Sequence, residues 1–81
     1  MITVSVLLFA SYADALGQPS LRLTLPSGAT VGDVVARVRA LPGAERVPPR
    51  PLVAVNEEYA PAGAGVGDGD EVAIIPPVAG G

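Results

Sequence analysis

The sequence predicts an α+β fold, a single domain in which one main helix packs across a mixed sheet of about five strands. Three observations carry this. Alternating apolar segments open and close the chain, a single long stretch in its middle repeats apolar residues at helical spacing, and the two strand-rich halves lie on either side of that stretch rather than alternating with further helices. With 81 residues, 49% hydrophobic and only 16% charged, the chain is long enough for one core and too apolar for the disordered class.

Ile2 to Phe9 is the first strand. Ile2, Val4, Val6 and Leu8 share one face and Thr3 and Ser5 begin the other, which Leu7 and Phe9 then make apolar, as in a sheet covered on both sides. Ser11 to Leu16 reads as a short helix with Ser11 as N-cap, Asp14 three residues on, and Gly17 as its stop. Leu21, Leu23 and Leu25 alternate with Arg22 and Thr24 in a second strand, which the Pro26-Ser27-Gly28 turn ends.

Thr30-Val31-Gly32-Asp33 has capping-box spacing, in which each of two side chains satisfies an amide that the helix start would leave unpaired. Val31, Val34, Val35, Val38 and Leu41 follow on one helical face, and Pro42-Gly43 stops the helix. Residues 42–51 contain four prolines, Arg46 and Arg50, and read as an irregular surface connection. Leu52 to Val55 is a short buried strand, Asn56-Glu57 a tight turn, Glu58 to Ala60 a returning stub, and Glu71 to Ile75 the last strand, entered through the Asp68-Gly69-Asp70 turn. Length and this order permit the ubiquitin-like β-grasp, in which the first and last strands are central and parallel. The expected division is a β-grasp domain over 1–75 and an extended tail over 76–81.

Composition narrows the chemistry. There is no cysteine or histidine, which removes thiolate nucleophiles, iron–sulfur ligands of the ferredoxin kind and the usual general base. All five basic residues are arginines (Arg22, Arg37, Arg39, Arg46 and Arg50), a usage read as the coding bias of a GC-rich genome; it leaves no ε-amino group for a Schiff base or an isopeptide bond. A net charge of −3 argues against nucleic acid as a partner. No apolar run approaches the ~20 residues needed to cross a bilayer, and no basic segment followed by an apolar run and a cleavage site opens the sequence. A soluble, cytoplasmic protein is expected. Gly63, Gly65, Gly67 and Gly69 suggest a phosphate-binding loop only superficially, because no Gly-Lys-Ser/Thr and no helical pattern follows them.

The sequence ends in Gly80-Gly81, the close of the run DGDEVAIIPPVAGG from Asp68 to Gly81. Six residues beyond Ile75 reach roughly 20 Å when extended. Pro76-Pro77 stiffens the base of this stalk, which lowers the entropy lost on threading it into a partner, and Val78 suits a small apolar pocket. Gly80 and Gly81 carry no Cβ and fit a narrow channel. A carboxylate resists nucleophiles until it is activated; coupling to the α-phosphate of ATP gives an acyl-adenylate with a good leaving group. Nothing in this chain can perform that step, so the catalyst is expected on another protein.

LLFASYADALG, LPSGATVGDVVARV, LVAVNEEY and above all DGDEVAIIPPVAGG resemble the small, sulfur-carrying subunit of molybdopterin synthase, in family order over almost the whole chain. The resemblance implies that Gly81 is adenylated by a ubiquitin-activating-like adenylyltransferase using ATP and magnesium, with no cofactor bound by this chain. It further implies sulfuration to a glycine thiocarboxylate, with a desulfurase or rhodanese-type protein as sulfur source. The loaded tail would then enter the large synthase subunit and donate sulfur to cyclic pyranopterin monophosphate, building a dithiolene. On this reading the chain is the non-catalytic, sulfur-donating subunit of a sulfurtransferase. Ile75, Pro76, Pro77, Val78, Ala79 and Gly80 would contact partners, and Phe9 is either an apolar contact beside the tail or core packing. The proline-rich 42–51 segment departs from the family pattern, and Ile74-Ile75 stands where an aromatic is frequent. Two alternatives share the early chemistry: a sulfur carrier for thiamine or tRNA thiolation, and a modifier that ends on a lysine of another protein.

Overall fold

The computed structural model describes residues 1–77. Its elements are β1 (Ile2–Leu8), α1 (Ala10–Leu16), β2 (Ser20–Leu25), α2 (Val31–Arg39), a 3-10 turn (Ala44–Arg46), β3 (Leu52–Val55), β4 (Glu58–Tyr59) and β5 (Glu71–Ile75). They build one five-stranded sheet in the order β2-β1-β5-β3-β4. β1 and β5 are the parallel central pair, and the remaining neighbours are antiparallel. This is the expected β-grasp.

The core lies on one side of the sheet. Ile2, Val4, Val6 and Leu8 of β1, Leu23 and Leu25 of β2, Val53 of β3, and Val72 and Ile74 of β5 join Val31, Val34, Val35 and Val38 of α2 and Tyr12 of α1 in one cluster. Most of its members are β-branched, stiff at χ1 and suited to a pleated surface, and each fully buried one contributes roughly 1.5–3 kcal/mol of transfer free energy.

The start of α2 is as expected from its local sequence. The Thr30 Oγ1 accepts from the Asp33 N–H at 3.3 Å, and the Thr30 N–H donates to Asp33 Oδ2 at 2.9 Å. The glycine-rich loop completes the cap: the Val31 N–H donates to the Ala64 carbonyl and the Gly32 N–H to the Ala62 carbonyl, each at 2.9 Å. All three amides of the first turn are thereby engaged, which leaves no anion cradle there.

Four expectations change. The N-cap of α1 is Phe9, not Ser11, and it makes no side-chain cap; instead the Phe9 carbonyl accepts from the Tyr12 N–H at 3.0 Å. The buried Leu8 and Tyr12 are only four residues apart, so the chain must turn at once, and Ala10 takes a left-handed φ of 47° to do it. Second, α2 ends at Arg39 with Ala40 as C-cap, because the Leu41 N–H reaches back to the Val38 carbonyl in a tighter turn.

Third, residues 42–51 are not merely a surface connection. Ala44 and Val47 are 4% and 1% exposed, and Arg39 Nε donates to the Val47 carbonyl at 3.1 Å. Gly43, at φ 89°, lies so close to the Ala15 carbonyl that a Cβ would overlap it. The proline-rich segment is thus fastened to the end of α1. Fourth, among the described residues the helices cover the sheet on one side only, because α1 and α2 both send their buried residues into the same cluster.

Candidate functional site

The uncovered face of the sheet is apolar at one end, and that end is where the tail begins. Ladder register places the residues. Leu7 of β1 pairs with Ala73 of β5, Ala73 with Ala54 of β3, and Ala54 with Tyr59 of β4, so these four side chains form one row across four strands. One step on, Ile75 pairs with Leu52, and Phe9, the extended residue after β1, comes level with Ile75 by continuation of the Leu8–Ile74 pairing. Side chains two apart along a strand share a face, so Phe9–Ile75–Leu52 is a second row on the same side.

Exposure agrees with this geometry. Phe9 is 45%, Leu52 48% and Tyr59 73% exposed, while Leu7, Ala73 and Ile75 are half-buried and Ala54 is buried. Exposed apolar side chains gathered on one face, rather than scattered singly, mark an interaction surface. Polar residues border it: Ser20 continues the first row on β2, and the next row inward is Arg22, Ser5 and Glu71.

Pro76 follows Ile75 directly, so the tail leaves from the edge of this patch. Of the site residues expected from sequence, Ile75 lies in this patch and Phe9 follows the strand end that pairs beside it; Phe9 is exposed and not core. Pro76 is half-buried and Pro77 exposed, immediately beyond them. Val78, Ala79, Gly80 and Gly81 lie outside the described residues.

Leu52, Tyr59, Leu7 and Ala73 were missed by the sequence reading. An apolar residue in a short strand reads as core until the register shows which face it occupies. The advance signals of a second apolar face were Leu7 and Phe9 at the end of the first strand and the odd positions of β5, Glu71, Ala73 and Ile75.

A polar clamp holds β5 in register at its other end. The Asn56 amide donates from Nδ2 to Asp70 Oδ1 at 3.0 Å, and its Oδ1 accepts from the Glu71 N–H at 3.0 Å. Asp70 Oδ2 accepts from the Gly67 N–H at 2.7 Å, and Asp68 Oδ1 from the Thr3 N–H at 2.8 Å. The Gly67 N–H first, and the Asn56 amide second, hold the Asp70 carboxyl below its ordinary range. Asn56 and Glu57 both have positive φ, 49° and 73°, which gives the β3–β4 hairpin a two-residue primed turn. These contacts are structural: they set where β5 begins and therefore where Ile75 ends.

Among the described residues no group of His, Cys, Asp or Glu is arranged to hold a metal ion, and no helix is long and apolar enough to cross a membrane. The arrangement offers an apolar platform with Pro76 and Pro77 following at its edge.

Known proteins share this architecture and sequence. The chain is 41% identical over 81 residues to a molybdopterin synthase sulfur carrier subunit of Arabidopsis thaliana, covering 99% of this chain and 84% of the relative. Small archaeal modifier protein 1 of Haloferax volcanii superposes with a TM-score of 0.83 at 34% identity, covering 98% of this chain and 99% of that one. A chain from the complex of subunits 1 and 2 of the molybdopterin-converting factor of Helicobacter pylori superposes with a TM-score of 0.73 at 18% identity, covering 99% and 100%, a likeness of fold. Residues 6–81 match the ThiS family, and with the β-grasp sheet and the diglycine end the chain belongs to that family.

Proposed function

We propose that this chain is the sulfur-carrying small subunit of a molybdopterin synthase. An adenylating partner joins the Gly81 carboxylate to the α-phosphate of ATP with release of pyrophosphate. A persulfide sulfur from a desulfurase or rhodanese-type protein then displaces AMP, and reduction of the resulting acyl disulfide by a thiol leaves the glycine thiocarboxylate. In the large subunit the thiocarboxylate sulfur forms a carbon–sulfur bond on cyclic pyranopterin monophosphate in place of a carbon–oxygen bond, water cleaves the acyl–sulfur bond so that Gly81 returns as a carboxylate, and a second loaded chain supplies the second sulfur of the dithiolene.

This chain's own residues bind and deliver. The Phe9–Ile75–Leu52 row docks on the large subunit, and Pro76-Pro77 directs the end of the chain into its active site. The observation that carries the reading is the join between the open apolar face and the tail: the residues that would hold a partner end one position before the residues that would enter it. The Arabidopsis relative and the fold shared with a subunit of a two-subunit converting factor support it.

The test is reconstitution. The chain, pre-loaded by an adenylating enzyme, ATP and a sulfur source, should convert cyclic pyranopterin monophosphate to the dithiolene when the large subunit is added. Deletion of Gly81 should abolish the product while leaving the melting temperature nearly unchanged, since the core residues among those described lie between Ile2 and Ile74.

A second reading is favoured by the likeness to a small archaeal modifier protein. In it the activated Gly81 is passed to a lysine of another protein. Peptides from cell extract bearing a remnant of this tail on lysine would support that reading, and their absence under conditions that load the tail would count against it.

A further inference from the structure

The sharpest local conflict among the described residues is at Ala10. Its φ of 47° is a conformation that suits glycine, yet the residue carries a methyl group. Packing does not explain the methyl group, because Ala10 is exposed. Stability does not explain it either, since alanine at positive φ is disfavoured relative to glycine. The conformation is imposed from both sides: Leu8 and Tyr12 are each 3% exposed, and the Phe9 carbonyl accepts from the Tyr12 N–H between them. Backbone strain of this kind persists where surrounding contacts over-determine it, and it gathers at binding sites.

What lies beside the strained residue is Phe9, the one exposed aromatic ring level with Ile75 at the start of the tail. We propose that Ala10 is a positioning residue, whose restricted left-handed backbone locks Phe9 on the tail side of the open face in the orientation the docking partner takes. A glycine there would relax the junction but let Phe9 sample orientations off the face. An alanine confines it before the partner arrives, so that less freedom is lost on binding. This rests on the reading that the open face docks the large synthase subunit.

The test is a double-mutant cycle on binding to that subunit, measured by titration calorimetry with the wild-type chain, Ala10→Gly, Phe9→Ala and the double variant. A parallel measurement of the backbone order parameter of Phe9 in the free chain accompanies it. Ala10→Gly is expected to keep or raise the melting temperature, lower the Phe9 order parameter and weaken binding roughly three- to tenfold. In the Phe9→Ala background it should change binding no further. If Phe9→Ala weakens binding and Ala10→Gly binds like wild type, Ala10 has no positioning role and the docking face stands. An effect of Ala10→Gly that persists undiminished without Phe9 overturns the inference as well. If Phe9→Ala itself leaves binding unchanged, the docking role of this row falls and the inference with it.

Discussion

Leu52 of β3 and Ile75 of β5 are partners in an antiparallel ladder, and the residue after Ile75 is the first proline of the tail. The pair places the open apolar face next to the start of the tail. Leu52 is 48% exposed, so a charge there is solvated in the free protein. Leu52→Asp should therefore change the melting temperature by only a few degrees, yet weaken binding to the large synthase subunit by about 2 kcal/mol or more, since the carboxylate would be desolvated without a partner. Calorimetric titration beside a thermal melt separates the two effects. Equal binding by wild type and variant would remove Leu52 from the docking face.

The β3–β4 hairpin has room for improvement. Glu57 adopts φ 73° at the second position of a primed two-residue turn, where glycine is unstrained. Glu57→Gly is expected to stabilise the protein by roughly 0.5–1 kcal/mol, net of the added freedom of the unfolded chain. For a domain of this size that is a rise in melting temperature of about 2–8 °C. A fall would show that the turn conformation is misassigned.

The proline-rich segment contributes to the core. Val47 is 1% exposed, and Val47→Ala should cost about 1–3 kcal/mol through lost burial and the cavity left behind. Denaturant unfolding would measure it. A negligible change would mean that residues 42–51 are the peripheral connection their composition suggests.

Asp70 links the clamp to pH. Its carboxyl is held low chiefly by the Gly67 N–H and then by the Asn56 amide, so the native state binds the proton more weakly than the unfolded chain does. The stabilisation is fully present above the ordinary carboxylate value and is lost as pH falls through the lowered one. Asn56→Ala should lower the melting temperature at neutral pH and flatten its decline on acidification, because less of the native preference for the carboxylate remains to be lost. An acid-melting profile parallel to that of wild type would exclude this linkage.

Local features of the sequence translated directly into structure. The Thr30–Asp33 capping box and the Gly17 stop depend on residues within a turn of each other, and both are present as read. What failed depends on distant contacts. Whether Phe9 faces core or solvent is set by Leu8 and Tyr12 competing for the same cluster, and the short spacing between them moves the N-cap from Ser11 to Phe9. Val47 lies in a stretch whose prolines resemble any surface loop; its burial comes from joining the core cluster of the sheet and helices, and in the same segment Gly43 approaches the Ala15 carbonyl, 28 positions earlier in the chain. The patch itself needed the β3–β5 register, because Leu52 and Val53 are both apolar and only pairing shows that Val53 faces the core. The diglycine end, read as chemistry from the sequence, lies outside the described residues; the structure adds the apolar face at the end of β5, next to Pro76.

The central claim, that the C-terminus of this chain carries sulfur, is tested most directly by intact mass spectrometry after incubation with an adenylating enzyme, ATP, magnesium and a sulfur source. The mass should rise by the exchange of one oxygen for one sulfur, with fragmentation placing the change at Gly81. An unchanged mass with authentic partners, or a change placed anywhere else in the chain, would contradict it.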